Sequence, residues 1–171
     1  KNKMIFLDAK PNKAHLKLAE MEQAGKLSAI VTQNIDGLHQ AAGSKNVFEL
    51  HGSVHRNYCQ KCGKFFDVNY VVNAKGVPYC DECGGIIKPD VVLYEEGLDS
   101  QTINGAVRAI SKADMLIIGG TSLVVYPAAG MIDYFKGKYL AVLNRDATSR
   151  DKQADLCIID PIGEVLGRIR V

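Results

Sequence analysis

Two Cys-x-x-Cys pairs constrain this chain more than any other feature of its sequence. Cys59 and Cys62 form the first pair, Cys80 and Cys83 form the second, and 17 residues separate the pairs. Two turns at this spacing can fold back on each other and present four thiolates tetrahedrally, which leaves no ligand position for water. We therefore predict a structural zinc site, with an iron–sulfur cluster, two disulfides or a chance pattern as alternatives. Cys157, the fifth cysteine, lies in an apolar run and is expected to be buried.

The composition is that of a globular protein with one main domain and a small second module. The chain has 171 residues, of which 47% are hydrophobic and 23% charged, and its net charge of +2 is too small to favour nonspecific binding to nucleic acid or anionic membranes. No apolar run approaches the roughly 20 residues that a spanning helix needs. Paired cysteines suit a reducing compartment. We expect a soluble, cytoplasmic monomer.

Apolar runs alternate with helical patterns on both sides of the cysteine region. The first pattern is an amphipathic helix, with Asn12 as its cap and Gly25 where it stops. Strands separated by helices imply right-handed crossovers, so we predict an α/β fold with a parallel, doubly wound sheet. Residues 51–98 break the alternation and are predicted to be an insertion with its own small fold. The predicted strands are SAIVTQ, VFEL, MLIIGG, YLAVLN and LCIID, and further helices are predicted through Ile103, Val107 and Ile110 and after Pro127.

Polar side chains follow several of the predicted strands. Ligands of an open parallel sheet bind beyond the carboxyl ends of its strands. Asn34 and Asp36 could hold a carboxamide such as that of nicotinamide, or they could form an Asx-turn. Residues 119–122 (GGTS) could bring backbone N–H groups to a phosphate, or they could be an ordinary turn. Asn144, which ends YLAVLN, could likewise be a ligand or a cap.

One histidine, His51, stands directly after the predicted strand VFEL. Imidazole titrates near neutral pH, so it could serve as a general base in the same crevice. A structural role is the alternative, and the presence of His15, His39 and His55 shows that spacing alone does not select the catalytic residue.

Seven ordered blocks of the sequence resemble the sirtuin family. They are PNKAH, TQNIDGLHQAAG, LHG, the two Cys-x-x-Cys pairs, KPDVVLYEE, GTSLVVYPAA and LNRD, and they span nearly the whole chain. The resemblance implies a Rossmann-like NAD-binding domain formed by residues 1–51 and 99–171. It also implies a zinc-binding module with a substrate-cleft segment in residues 52–98, and an acyl-lysine peptide bound between the two.

The same resemblance implies roles for individual residues. His51 is expected to be the catalytic base, and the peptide is expected to pair with the chain as an added strand. The nicotinamide and ribose pocket is expected to be lined by Gln33, Asn34, Ile35 and Asp36. The phosphates and adenosine are expected to contact Gly120, Thr121, Ser122 and Asn144, with Cys157 and Ile158 near adenine. The substrate peptide is expected to contact Val92, Leu93, Tyr94 and Val124.

The function implied by the resemblance is NAD-dependent protein lysine deacetylation or deacylation. The acyl oxygen attacks the ribose carbon as nicotinamide leaves, and His51 then deprotonates the ribose hydroxyls. Hydrolysis yields free lysine and O-acyl-ADP-ribose, so NAD is a cosubstrate, the enzyme is a transferase, and zinc is structural.

Three other functions remain open from the residues themselves. A mono-ADP-ribosyltransferase and a noncatalytic NAD-binding protein could each use the same nucleotide pocket. A zinc-ribbon nucleic-acid binder is disfavoured, because residues 56–88 carry only five basic against three acidic side chains.

The sequence also departs from the sirtuin pattern. Lys88 stands where arginine is common, Tyr94 where phenylalanine is usual, and Glu95 where glycine is usual. Glu95 is therefore expected to alter peptide affinity or sequence preference. The chain begins after the family's first strand and Gly-Ala-Gly cofactor loop, so we expect this polypeptide by itself to be inactive.

Overall fold

The computed structural model describes residues 5–171, which divide into two compact units. Unit 1 contains residues 5–9 together with Thr32–Gly37 and Glu49–Leu98. Unit 2 contains Lys10–Val31, Leu38–Phe48 and Asp99–Val171. Within residues 5–171, no helix combines the length and the apolar character that crossing a membrane requires. The functional boundaries predicted from the sequence stay a prediction.

Unit 2 carries the predicted alternation of helices and parallel strands. Strands β6 (Met115–Gly119), β7 (Tyr139–Leu143) and β8 (Leu156–Ile158) form one parallel sheet in that order, and β7 is its most buried strand. Helix α1 begins after Asn12, whose side chain accepts from the N–H groups of Ala14 and His15, as its sequence predicts. The elements are α1 (Lys13–Gln23), α2 (Leu38–Ala41), α4 (Ser100–Lys112), β6 (Met115–Gly119), α5 (Ala128–Met131), β7 (Tyr139–Leu143), β8 (Leu156–Ile158) and α6 (Ile162–Gly167), with 3-10 turns at Ile132–Tyr134 and Asp151–Gln153.

Cys157 is exposed, so the prediction that it would be buried is wrong. It lies in β8, which pairs with β7 at one end of the order β6-β7-β8. Leu156 next to it is 50% exposed. A strand at the edge of a sheet forms hydrogen bonds with its neighbour even when its side chains stay exposed. The apolar run LCIID therefore predicted the strand correctly but its burial incorrectly.

A second, shorter sheet joins β1 (Ile30–Thr32) to β2 (Val47–Glu49). The N–H of Ile30 donates to Asn46 O and the N–H of Leu50 donates to Thr32 O. Bonded residue numbers increase together along both strands, so the strands run parallel. The polar residues 33–37 thus leave the carboxyl end of a parallel strand, as predicted from the sequence.

Unit 1 contains a small antiparallel sheet with strand order β4-β3-β5. Its elements are β3 (Gly52–Cys59), β4 (Phe65–Phe66), α3 (Val68–Asn73) and β5 (Ile87–Val91). Gly52 has φ +74°, and a Cβ there would overlap the carbonyl oxygen of Asp90. Glycine therefore lets β5 approach the start of β3 directly after His51. One buried cluster of this unit consists of Cys59, Phe66, Val71, Cys80 and Ile87, and Leu50, Val54, Val68 and Val91 are buried as well.

Candidate functional site

Residues 33–37 are held in place by the residues that lead into and begin β3. Four carbonyl oxygens along this loop each face a nitrogen atom from residues 50–55. The pairs are Thr32 O with Leu50 N (2.9 Å), Gln33 O with His51 Nδ1 (3.0 Å), Ile35 O with Val54 N (3.1 Å) and Asp36 O with His55 Nε2 (2.9 Å). The pairing of β1 with β2 therefore continues past the ends of the strands and fixes the loop that the sequence predicts to be ligand-binding.

His51 is oriented by one of these contacts. Its Nδ1 atom faces a carbonyl oxygen, which only accepts hydrogen bonds, so Nδ1 carries the proton. In the neutral ring Nε2 then has the free lone pair. His51 is half-buried, and its own carbonyl accepts from the N–H of Val92. The geometry thus selects the tautomer that can take up a proton at Nε2.

Unit 2 brings together several other residues that the sequence predicts to contact NAD. They lie at the carboxyl ends of β6, β7 and β8. Asn144 Nδ2 donates to Thr121 O at 3.3 Å, and the N–H of Asn144 donates to Ile158 O at 3.2 Å. Gly120 has φ +64°. Ser122 and Cys157 are exposed at the same strand ends. Their ligand roles stay predictions, but this edge is where a parallel sheet binds ligands.

The segment predicted to contact the peptide continues from β5 in unit 1. Leu93 is 49% exposed and Tyr94 is fully exposed. Glu96 Oε2 accepts from the N–H of Leu93 at 2.9 Å and from Lys88 Nζ at 3.0 Å, and these two donors lower the pKa of Glu96. Lys88 therefore makes an ion pair that holds the segment, although arginine is common at its position. Val124, the fourth predicted peptide contact, is exposed in unit 2.

Glu95 adopts a backbone conformation that favours glycine, with φ +71°. We expect Glu95→Gly to raise the free energy of unfolding by about 0.5–1 kcal/mol, since this conformation costs a residue with a Cβ roughly 1–2 kcal/mol and glycine's extra chain entropy offsets part of the gain. Urea titration measures the change. Glu95→Ala removes the carboxylate but keeps the Cβ, so an equal gain from alanine would contradict the backbone explanation.

The four paired cysteines form one cluster in unit 1. Their sulfur atoms all lie within 4.8 Å of one another, with Cys59 and Cys83 3.4 Å apart and Cys62 and Cys80 3.7 Å apart. A tetrahedral zinc with Zn–S bonds of about 2.3 Å places its sulfurs about 3.8 Å apart. The cluster therefore fits a structural zinc ion bound by all four thiolates.

The two halves of this cluster repeat the same turn. In each, the first cysteine donates its N–H to the residue five positions later and accepts from the residue four positions later. The bonds are Cys59 N to Lys64 O, Gly63 N to Cys59 O, Cys80 N to Gly85 O and Gly84 N to Cys80 O. Gly63 and Gly84 have φ +75° and +67°, so each turn needs its glycine. Lys64 links the two turns through Asp81 and Glu82.

Backbone N–H groups also prepare the cluster for a metal. The N–H of Cys62, assisted by that of Lys61, lowers the pKa of Cys59 to about 6 against the opposing effect of burial. A thiolate is the form that binds zinc. These two N–H groups therefore favour the thiolate form of Cys59, the form that a zinc ion would bind.

Sequence reasoning missed Arg56, whose side chain pairs with two carboxylates of unit 1, those of Glu49 and Asp90. Its guanidinium lies 2.7 Å from Glu49 and 2.8 Å from Asp90, and the Glu49 side chain is only 8% exposed. Burial lowers the pKa of Arg56, but the hydrogen bonds to Glu49 and Asp90 outweigh it and raise the pKa. The only hint in the sequence was a basic residue four positions after Gly52, in a strand whose side chains point alternately to its two faces. That hint does not reveal which carboxylates the residue pairs with.

Comparison with known proteins assigns the chain to a family. The model of the Sir2 family matches residues 1–127. The chain is 66% identical over 167 residues to the NAD-dependent protein deacetylase of Clostridium acetobutylicum, covering 97% of this chain and 68% of that protein. It is 64% identical over 170 residues to the NAD-dependent protein deacetylase of Clostridium perfringens, covering 99% and 70%.

Solved structures agree with this assignment. A Sir2 complex with a p53 peptide and NAD+ matches with a TM-score of 0.88 and 41% identity, over 95% of this chain and 70% of that one. A Sir2 complex with the inhibitor EX-527, 2'-O-acetyl-ADP-ribose and a deacetylated p53 peptide matches with a TM-score of 0.88 and 42% identity, over 95% and 71%. The fold is the Rossmann-like α/β fold of those proteins, and the chain belongs to the Sir2 family, the sirtuins.

Proposed function

We propose that this protein is an NAD-dependent protein lysine deacetylase, which transfers the acyl group of an acyl-lysine side chain to ADP-ribose and releases nicotinamide. The observation that carries the proposal is the orientation of His51, whose Nδ1 faces Gln33 O at 3.0 Å and whose Nε2 is left as the proton acceptor. Membership of the Sir2 family and high identity to proteins named NAD-dependent protein deacetylase support it.

The proposed reaction needs one base and no redox step. Acyl-lysine, NAD and water give lysine, nicotinamide and O-acyl-ADP-ribose. His51 Nε2 takes the proton of a ribose hydroxyl so that this oxygen can attack the acyl carbon. Placement of His51 and the loop of residues 33–36 in the same unit supports this role. A zinc ion held by all four cysteines would have no open ligand position, so the metal would be structural and would supply no reacting group.

We propose acyl-lysine peptides as the partners of the segment from Val92 to Tyr94, in which Leu93 and Tyr94 are exposed. The N–H of Val92 donates to His51 O, so the segment starts beside the base. Leu93 and Tyr94 are exposed beyond Val91, the end of β5, and an extended peptide adds beside them as a strand in this proposal. We also propose a reducing, cytoplasmic location, since the function requires the thiolate cluster to stay reduced.

The test is to incubate the full-length protein with NAD and an acetyl-lysine peptide. Mass spectrometry should detect free-lysine peptide and O-acetyl-ADP-ribose, with one nicotinamide released per peptide deacetylated. The matched control is the same peptide without the acetyl group, which should release no nicotinamide. ADP-ribose attached to protein without deacetylation would instead indicate an ADP-ribosyltransferase. Binding of NAD without nicotinamide release would indicate a noncatalytic protein.

A further inference from the structure

We infer that His55 is a positioning residue that holds the loop of residues 33–37 in its NAD-binding shape and thereby sets the affinity for NAD. The inference rests on the proposed function, because it takes this loop to line the nicotinamide and ribose pocket. His55 itself is exposed and has no place in the proposed chemistry.

The contact between His55 and the loop has two parts. Nε2 of His55 lies 2.9 Å from Asp36 O, and because a carbonyl only accepts, Nε2 is the protonated nitrogen. The same ring covers Gly37. A Cβ at Gly37 would lie 2.8 Å from His55 Cδ2 and 3.1 Å from His55 Nε2. Gly37 also has φ +67°, a conformation that glycine adopts without strain. The ring and the glycine therefore fit each other.

His55 contacts the end of the loop, just before α2 begins at Leu38. The other three carbonyl contacts lie earlier in the loop, at Thr32, Gln33 and Ile35. After Ile35 the chain reaches Asp36 and then Gly37, whose backbone has more accessible conformations than any other residue. Among these four carbonyl contacts, the hydrogen bond to Asp36 O is the one nearest to this glycine.

The chemical step should depend much less on His55 than NAD binding does. His51 is oriented by its own contact with Gln33 O, and the Val54 to Ile35 hydrogen bond lies between that contact and His55. Loss of the His55 contact therefore loosens the loop at Asp36 and leaves the base in place. A looser loop must become ordered each time NAD binds, and the free energy that this ordering requires weakens the affinity for NAD.

The test compares His55→Asn with His55→Gln. Glutamine places an amide N–H near the position of Nε2, whereas the asparagine amide reaches only the position of Nδ1. For His55→Asn we expect the KM for NAD to rise roughly three- to tenfold, the range for losing one hydrogen bond. The kcat and the KM for acetyl-peptide should change less than about twofold, and the melting temperature of an exposed site should stay within about 2 °C. His55→Gln should restore the KM for NAD.

Calorimetric titration with NAD separates this inference from the proposed function. Weaker NAD binding by His55→Asn, restored in His55→Gln, supports the inference even if the wild-type protein deacetylates nothing. Equal NAD affinity in all three proteins, while deacetylation proceeds, overturns the inference and leaves the function standing. A kcat that falls more than the KM rises, or an asparagine variant that does not fold, also overturns it. Absence of NAD binding by the wild-type protein overturns both.

Discussion

Replacing His51 with alanine is expected to lower the kcat of deacetylation by roughly 10²–10⁴-fold, the usual contribution of a general base. Nε2 is the only part of this residue with a free lone pair, because Nδ1 faces Gln33 O. The melting temperature should change little, since the side chain is only half-buried. Initial rates of O-acetyl-ADP-ribose formation measure the loss.

His51→Asn is the matched variant for this experiment. The asparagine amide can donate to Gln33 O from the position of Nδ1, so it preserves the contact that orients the loop while removing the base. We expect it to bind NAD with close to wild-type affinity and to turn over as slowly as the alanine variant. Substantial turnover by His51→Asn would show that the residue acts only through the loop and would remove it from the proton transfer.

Replacing Cys80 with serine is expected to abolish zinc binding and to unfold the antiparallel sheet of unit 1. Structural zinc is worth on the order of 10 kcal/mol in small metal-binding peptides. The sheet β4-β3-β5 packs on a buried cluster of five side chains, two of which, Cys59 and Cys80, are predicted metal ligands. Elemental analysis should give one zinc per wild-type chain and none in Cys80→Ser, and circular dichroism should show lost strand signal.

Cys157→Ser provides the control for the metal experiment. Cys157 is an exposed cysteine in unit 2, outside the four-cysteine cluster. Its replacement should leave both the zinc content and the melting temperature unchanged. Iron in place of zinc, or a full zinc content in Cys80→Ser, would contradict the assignment of the four thiolates as zinc ligands.

The features that follow from spacing and periodicity were predictable from the sequence. The two Cys-x-x-Cys pairs predicted a cluster because each pair folds into the same local turn, and the structure brings the four sulfurs together. The runs MLIIGG and YLAVLN predicted parallel strands because a helical pattern separates them, and both lie in one parallel sheet. Asn12 predicted the start of α1 because a cap acts on the N–H groups next to it in sequence.

Contacts between residues far apart in sequence could not be predicted in this way. His55 and Asp36 are 19 positions apart, and Arg56 and Asp90 are 34 apart. The spacing of the histidines could not show which of His51 and His55 is the proposed base. The two differ in the carbonyl oxygen that each ring faces, and this depends on contacts between distant residues. The burial of Cys157 was predicted wrongly because strand periodicity does not reveal which strand ends at the edge of a sheet.

Strand β3 connects the proposed catalytic base to the cluster of four cysteines. It begins at Gly52, one residue after the proposed base, and ends at Cys59, a predicted metal ligand. Its first residues also hold the loop of residues 33–37. Chelation should therefore inactivate the proposed enzyme from a distance: once the metal is removed, the sheet that contains β3 should unfold, and the contacts of residues 50–55 with the loop of residues 33–37 should be lost with it.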